Sequence, residues 1–194
     1  MTGEKIALLI VDMQEDIVAA REATRKTIPA IRLILDAFRK KGLPVFHIIR
    51  TYRRDWSDVE LPRIQEFTEK GPRVIENTPG VQIIAPLAPR TGEHIVVKKR
   101  WSGFFMTELP LLLTRLGVRT VVIAGTQTPN CIRTTAFDAI SYDLETTVVS
   151  DGTSAATPEI HQANLLDMKN IGIRIRSCAE LAEELARRTR KAGS

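Results

Sequence analysis

The chain is poor in cysteine, histidine and aromatic residues, and each shortage removes a class of function. Two cysteines in 194 residues, Cys131 and Cys178, cannot form a disulfide framework. They suit a reducing compartment, although one bridge between them stays open. Three histidines, His47, His94 and His161, form no spaced ligand set, so neither a metal nor another cofactor is expected. Aromatics are 5% of the chain, and no stretch interleaves them with basic residues as a single-strand binding face does. The net charge of +5 therefore does not point to nucleic acid; anionic small substrates fit it better. Its densest part, Arg187, Arg188, Arg190 and Lys191, reads as a solvated helix end. The N-terminal stretch MTGEKIALLIVDMQ has neither the layout of a signal peptide nor the length to span a bilayer. No membrane association and a cytoplasmic location are expected. Nor does a glycine-rich turn follow the first apolar run, where the chain reads DMQED; a nucleotide-binding module would need one.

What is present is an alternation of strands and helices. The apolar fraction of 43% and charged fraction of 26% are ordinary for a soluble protein, and the length suits one domain over 1–194. Ile6–Val11 is an apolar run suited to a strand buried on both faces. Ile28–Phe38 carries a helical stripe, and further strands are expected at Pro44–Ile49, Ile95–Val97, Thr120–Ala124, Thr146–Ser150 and Ile173–Ile175. Helices are expected at Thr107–Leu116, Cys131–Tyr142, Pro158–Asn170 and Ala179–Arg188. Residues 51–92 read as a long connection with one or two short helices, and their length suggests a functional role. The alternation implies right-handed βαβ units. The fold class is α/β, a three-layer α/β/α arrangement around a mainly parallel six-stranded, Rossmann-like sheet.

In such sheets ligands sit beyond the carboxyl ends of the strands, near the topological switch. Asp12 ends the first strand, Lys98 ends the third, and Cys131 follows the fourth after a loop containing Gly125 and Pro129. A thiol at a helix N-terminus should have a lowered pKa, and the loop before it can aim N–H groups at an oxyanion. Separately, each residue has a plainer account. Asp12 could cap a helix, Lys98 could be a solvated member of Lys98-Lys99-Arg100, and Cys131 could be core. Together they supply a nucleophile, a carboxylate to take its proton and a cation to hold the ion pair.

Three segments then carry a resemblance: LLIVDMQEDI at 8–17, VVKKRWSGFFMTEL at 96–109 and VVIAGTQTPNCIRTTAFDA at 121–139. The chain resembles the isochorismatase-like cysteine hydrolases, which include nicotinamidases, carbamoylsarcosine amidases, ureidoacrylate amidohydrolases and biuret hydrolases. The middle segment looks like the family's K-x-R-Y-S-[AG]-F-x-x-T-x-L pattern with Trp101 in place of tyrosine, which selects Lys98 over Lys99. The resemblance implies a catalytic triad of Asp12, Lys98 and Cys131. It also implies an oxyanion hole from the backbone N–H groups of Gln127 and Cys131, after a cis Thr126–Gln127 peptide. Cys131 would attack an amide or ureido carbonyl to give a thioester, and a homodimer or homotetramer would be the common assembly.

Two departures narrow the branch. Nicotinamidases place an Asp-x-His pair and a further histidine after the second strand to hold a metal. The corresponding segment here, HIIRTYRRDWSDVELPR, has no histidine after His47, which itself reads as a core residue. A cysteine at 131 argues against the branch that hydrolyses isochorismate itself. By family position Ile17 and Trp101 should line the pocket, though Trp101 could equally be packing. Arg50, Arg53 and Arg54, with Tyr52 between them, could recognise a substrate carboxylate, or could be surface charge or an oligomer contact. The reading is a metal-independent hydrolase of a C–N bond in a small amide or ureido compound. The alternative, a non-catalytic binding or scaffold relative, would be marked by a lost triad member, and none is lost.

Overall fold

The segment KIALLIV is apolar from Ile6 to Val11 because both faces of its strand are covered. Ala7, Leu9 and Val11 enter one core, while Ile6, Leu8 and Ile10 enter the other. The computed structural model describes residues 5–191. Six strands occur there: β1 (Lys5–Val11), β2 (Val45–Arg50), β3 (His94–Lys98), β4 (Val118–Thr126), β5 (Glu145–Ser154) and β6 (Arg174–Arg176). They form one sheet in the order β3-β2-β1-β4-β5-β6, with every neighbouring pair parallel. The chain thus builds outward from β1 to β3, then returns to place β4 on the other side of β1. The switch lies between β1 and β4.

Among the described residues there are eight α-helices: α1 (Glu15–Ala19), α2 (Glu22–Lys26), α3 (Ile28–Lys40), α4 (Leu61–Lys70), α5 (Leu109–Leu116), α6 (Arg133–Ser141), α7 (Pro158–Asn170) and α8 (Cys178–Lys191). Residues of α5, α6 and α7, including Leu113, Ala136 and Met168, pack on one face. On the opposite face α3 contributes Ile31, Ile34, Leu35 and Phe38, beside Leu181 and Leu185 of α8. Thus a parallel sheet is shielded from water on both sides, as its backbone geometry favours. A third, smaller core of Tyr52, Val59, Phe67 and Val74 lies within the long connection. The connection carries α4 and two 3₁₀ turns, Pro79–Val81 and Ala85–Leu87, where one or two short helices were expected. Of the C-terminal basic cluster, Arg187 pairs with Glu183 at 3.1 Å; the cluster's other side chains lie outside the described residues.

The boundaries differ where chemistry replaces packing. β2 continues through Arg50, β3 through Lys98 and β4 through Thr126. These polar residues keep their ladder positions while their side chains leave the apolar pattern that marks a strand in sequence. The expected helix from Cys131 is also divided. Thr128–Ile132 forms one π turn, and α6 starts at Arg133.

Candidate active site

The carboxyl edge of the sheet brings the three expected residues together. Asp12 follows β1 with φ of 57°, a left-handed conformation that a short polar side chain tolerates better than a bulky one. Its N–H bonds Ile48 O at 2.8 Å, extending the sheet ladder by one residue. Beside it, Gly125 has φ of +113°, and a Cβ there would stand 2.0 Å from Val11 O. Only glycine lets β4 approach the end of β1 so closely. The chain then crosses a cis Thr126–Gln127 peptide and enters the π turn that carries Cys131. Gln127 O closes that turn by accepting from Asn130 N and Ile132 N, both at 3.1 Å.

Lys98 is fully buried at the end of β3. Its ammonium donates to Asp12 Oδ2 at 2.9 Å, Arg100 O at 3.2 Å and Cys131 Sγ at 3.4 Å, which uses all three donors. Asp12 Oδ1 is buried without a hydrogen-bond partner. A carboxylate with one oxygen held and the other unoccupied is suited to receive a proton.

The electrostatics correct one expectation. Burial pushes the Cys131 thiol up from its ordinary value, and the Asp12 carboxylate pushes the same way, while Lys98 and Arg50 pull it down. The helix-end position does not make this a thiolate at rest. Loss of solvent outweighs a dipole whose first turn here is a π turn rather than α-helix.

Three residues to which the sequence assigned no positioning role hold the site in shape. Gln14 is fully buried and uses its whole amide. Nε2 donates to Arg50 O at 2.8 Å and Val81 O at 2.9 Å, while Oε1 accepts from Arg50 N at 2.8 Å. It therefore ties the end of β1 to the end of β2 and to the 3₁₀ turn at Val81. Tyr52 and Glu60 bracket Arg50, the Tyr52 hydroxyl donating to Glu60 Oε2 while Arg50 Nη1 donates to both residues. Within DMQ a glutamine after a buried strand was the visible signal; for Tyr52 and Glu60 there was none.

Arg50 itself is buried, while Arg53 and Arg54 are exposed. Burial alone would lower the Arg50 pKa, but Cys131, Asp12, Tyr52 and Glu60 outweigh it and raise it well above the usual value. Burial likewise opposes ionisation of Glu60, yet Arg50 and Tyr52 hold its carboxyl below the ordinary range.

A cavity of about 270 Å³ opens onto Asp12 and Cys131. Ile17 and Trp101 line it, as does Arg50. Its wall also includes Arg21, Arg63, Glu66 and Arg73. Arg63 stands 3.9 Å from Glu60 and Arg73 3.7 Å from Glu66, whereas Arg21 has no ion pair among the described residues. The Gln127 side chain reaches the same cavity with a buried, unpartnered Nε2.

None of the histidines belongs to this cluster. His161 Nε2 faces Ser150 O at 3.1 Å, so it carries the proton, and Nδ1 accepts from the Thr128 hydroxyl at 2.8 Å. His47 bonds Glu93 at 2.9 Å, and His94 stacks on Phe46. Among the described residues no group of three or more His, Cys, Asp or Glu side chains could hold a metal ion. No described helix is long and apolar enough to cross a membrane.

The chain is similar to several known proteins. A probable inactive nicotinamidase of Arabidopsis thaliana is 42% identical over 188 residues, covering 93% of this chain and 96% of that protein. N-carbamoylsarcosine amidase of an Arthrobacter species is 33% identical over 148 residues, covering 74% of this chain and 55% of that enzyme. The crystal structure of an isochorismatase family protein from Desulfovibrio vulgaris superposes with a TM-score of 0.89 at 41% identity. It covers 95% of this chain and 100% of its own. The isochorismatase domain matches residues 6–180. With its all-parallel six-stranded sheet and a family that includes amide hydrolases, the chain belongs to the isochorismatase family.

Proposed function

We propose that the protein hydrolyses a C–N bond of a small amide or ureido compound through a thioester on Cys131. The observation that carries this reading is a single buried ammonium, Lys98 Nζ, hydrogen-bonded to both Asp12 Oδ2 and Cys131 Sγ, two residues that line the cavity. The raised thiol must lose its proton only when substrate is present, and Asp12 is the adjacent base. Sγ then attacks the carbonyl carbon, and the backbone N–H groups of Gln127 and Cys131 receive the oxyanion. Protonated Asp12 passes its proton to the leaving nitrogen, and the C–N bond breaks. Water, deprotonated by Asp12, attacks the thioester and releases the acid with Cys131 restored as a thiol.

The cavity supports a small substrate, and its arginines support a negative charge on it. Arg21, without a carboxylate partner, is the favoured anchor for a substrate carboxylate. Ile17 and Trp101 would bound the apolar part. N-carbamoylsarcosine, the substrate in the name of one relative, joins a ureido group to a carboxylate, which is the class this pocket suits. A cytoplasmic homodimer or homotetramer is the expected setting, read by light scattering.

A second reading takes its support from the relative named as an inactive nicotinamidase: a binding protein that keeps the family's fold. Incubation with a panel of ureido acids, acid amides and nicotinamide separates the two. Ammonia release and a substrate-derived mass on the protein, both lost in Cys131→Ala, are expected for the hydrolase. Ammonia release that persists in purified Cys131→Ala would overturn the assignment of the nucleophile. Binding without turnover would favour the second reading.

A further inference from the structure

We propose that Arg50 is a catalytic residue that draws the thiol proton from Cys131 to Asp12, with Glu60 and Tyr52 as its positioning residues. The proposal rests on reading Cys131 as the nucleophile. It departs from the expectation that Arg50 binds substrate.

The geometry leaves Arg50 little capacity for substrate. Nη1 donates to Tyr52 and Glu60, and Nη2 donates to Arg100 O at 3.1 Å and faces Cys131 Sγ at 3.4 Å. Strand register explains the aim. Arg50 of β2 pairs with Lys98 of β3, so the two side chains leave the sheet on the same face. Both cations then converge on one sulfur, each at 3.4 Å.

Their effects on the proton differ. While the thiol is intact, the negative charge sits on Asp12, whose direct cation is Lys98 at 2.9 Å. Transfer breaks the S–H bond, forms an O–H bond on Asp12 and leaves the electron pair on sulfur. Net charge does not change; it moves from a carboxylate with one hydrogen-bonded cation to a thiolate with two. Only a group that favours the second state over the first can drive the transfer. Lys98 touches both atoms and stabilises both states. Arg50 feels Asp12 only through space but hydrogen-bonds the sulfur, so it favours the second state more than the first and supplies the bias. Arginine is suited to this because it stays protonated when buried, where a lysine is more easily neutralised. Glu60 offsets part of that charge from the far side and so tempers the bias.

The test is the pH profile of Cys131 alkylation by iodoacetamide in the full-length protein without substrate, mapped by peptide mass spectrometry. Cys178 gives little background, because it is buried in the core and its thiol is pushed well up. The midpoint belongs to the Cys131–Asp12 pair rather than to one group. Arg50→Lys, which keeps a cation on Glu60 but removes the second guanidinium nitrogen, should raise the midpoint by about 1 unit and slow alkylation at neutral pH about tenfold. Glu60→Gln should lower the midpoint, because Arg50 loses its counter-charge. General loosening of the site would move both variants the same way, and that result, or two unshifted profiles, overturns the proposal. If circular dichroism shows Arg50→Lys unfolded, Glu60→Gln decides: a lowered midpoint supports the proposal and any other result overturns it. The measurement is independent of turnover. Opposite shifts in a protein that hydrolyses no amide keep the role of Arg50 and remove the hydrolase. Unshifted profiles beside Cys131-dependent ammonia release do the reverse.

Discussion

β2 carries a buried arginine–glutamate cluster on each of its faces, and the two are built for different ends. On the α3 side, Arg39 grips Glu93 with two nitrogens, Nε to Oε1 at 2.6 Å and Nη2 to Oε2 at 2.9 Å. The same carboxylate accepts from Arg90 N and His47 Nε2, both at 2.9 Å, and Arg39 Nη2 also reaches Ala88 O. Because Glu93 only accepts, His47 must carry its proton on Nε2, and burial keeps that ring below its ordinary pKa. On the other side, three positions along the strand, Arg50 meets Glu60 and Tyr52 through Nη1, while Nη2 donates to Arg100 O and faces sulfur. Arg39 Nε and Nη2, Arg90 N and His47 Nε2 all end on oxygen in the first cluster, and only His47 Nδ1 is buried there without a partner among the described residues. In the second, one donor is held for an atom that becomes charged only during reaction. Satisfaction stabilises a fold, whereas a donor kept partly unsatisfied in the resting state is available to a transition state.

Four substitutions would break or sharpen this contrast. The largest effect is expected from Asp12→Asn, which removes the proton acceptor at the reactive cluster. It should lower kcat/KM of the folded protein by about a thousandfold, as read by ammonia release. It should also lower the melt in calorimetry, because the buried Lys98 loses its carboxylate. Glu93→Gln, at the other cluster, should cost stability alone. Urea denaturation should report a loss of about 3 kcal/mol, with turnover of the folded protein retained.

The same residue sets a pH dependence. Burial would raise the Glu93 carboxyl, but Arg39, Arg90 N and His47 together lower it to about 2 from 4.5. A depressed carboxylate adds stability above its unfolded pKa and loses it as pH falls through the folded value. Wild type should therefore weaken steadily between pH 4.5 and about 2 relative to Glu93→Gln. Equal acid slopes in the two proteins would show that Glu93 is not ionised by its partners.

Arg39→Lys, which keeps the charge but loses the two-nitrogen grip, should cost about 1 kcal/mol without changing the alkylation profile of Cys131. The smallest effect belongs to Arg54→Ala. This exposed arginine lies four residues from Arg50, and its loss should change stability by less than about 0.5 kcal/mol and leave turnover unaltered.

Arg50 and Arg54 show why the candidate site was only partly legible. Both stand in the basic stretch RTYRR, and composition cannot tell which is buried. The difference arises because β2 keeps its register with β3 through Arg50 before the chain turns away. Tyr52 was equally obscure, since its role depends on Glu60 arriving from the residue just before α4. The short α1 and α2, five residues each, had no apolar period to announce them. The thiol of Cys131 was misjudged for a related reason, because a helix end is visible in sequence but the depth of its burial is not.

What the sequence determined by itself was the alternation of strands and helices, the two-sided burial of β1 and the positions of Asp12, Lys98 and Cys131 at or just beyond strand ends. These follow from local periodicity and from parallel strands sharing one carboxyl edge. Only the tertiary structure decided how those residues are charged and aimed. It set one ammonium between carboxylate and thiol, turned Arg50 inward against Glu60, and raised the thiol by taking water away. Protonation and direction depend on distances between segments far apart in the chain, and those distances exist only once the sheet is assembled.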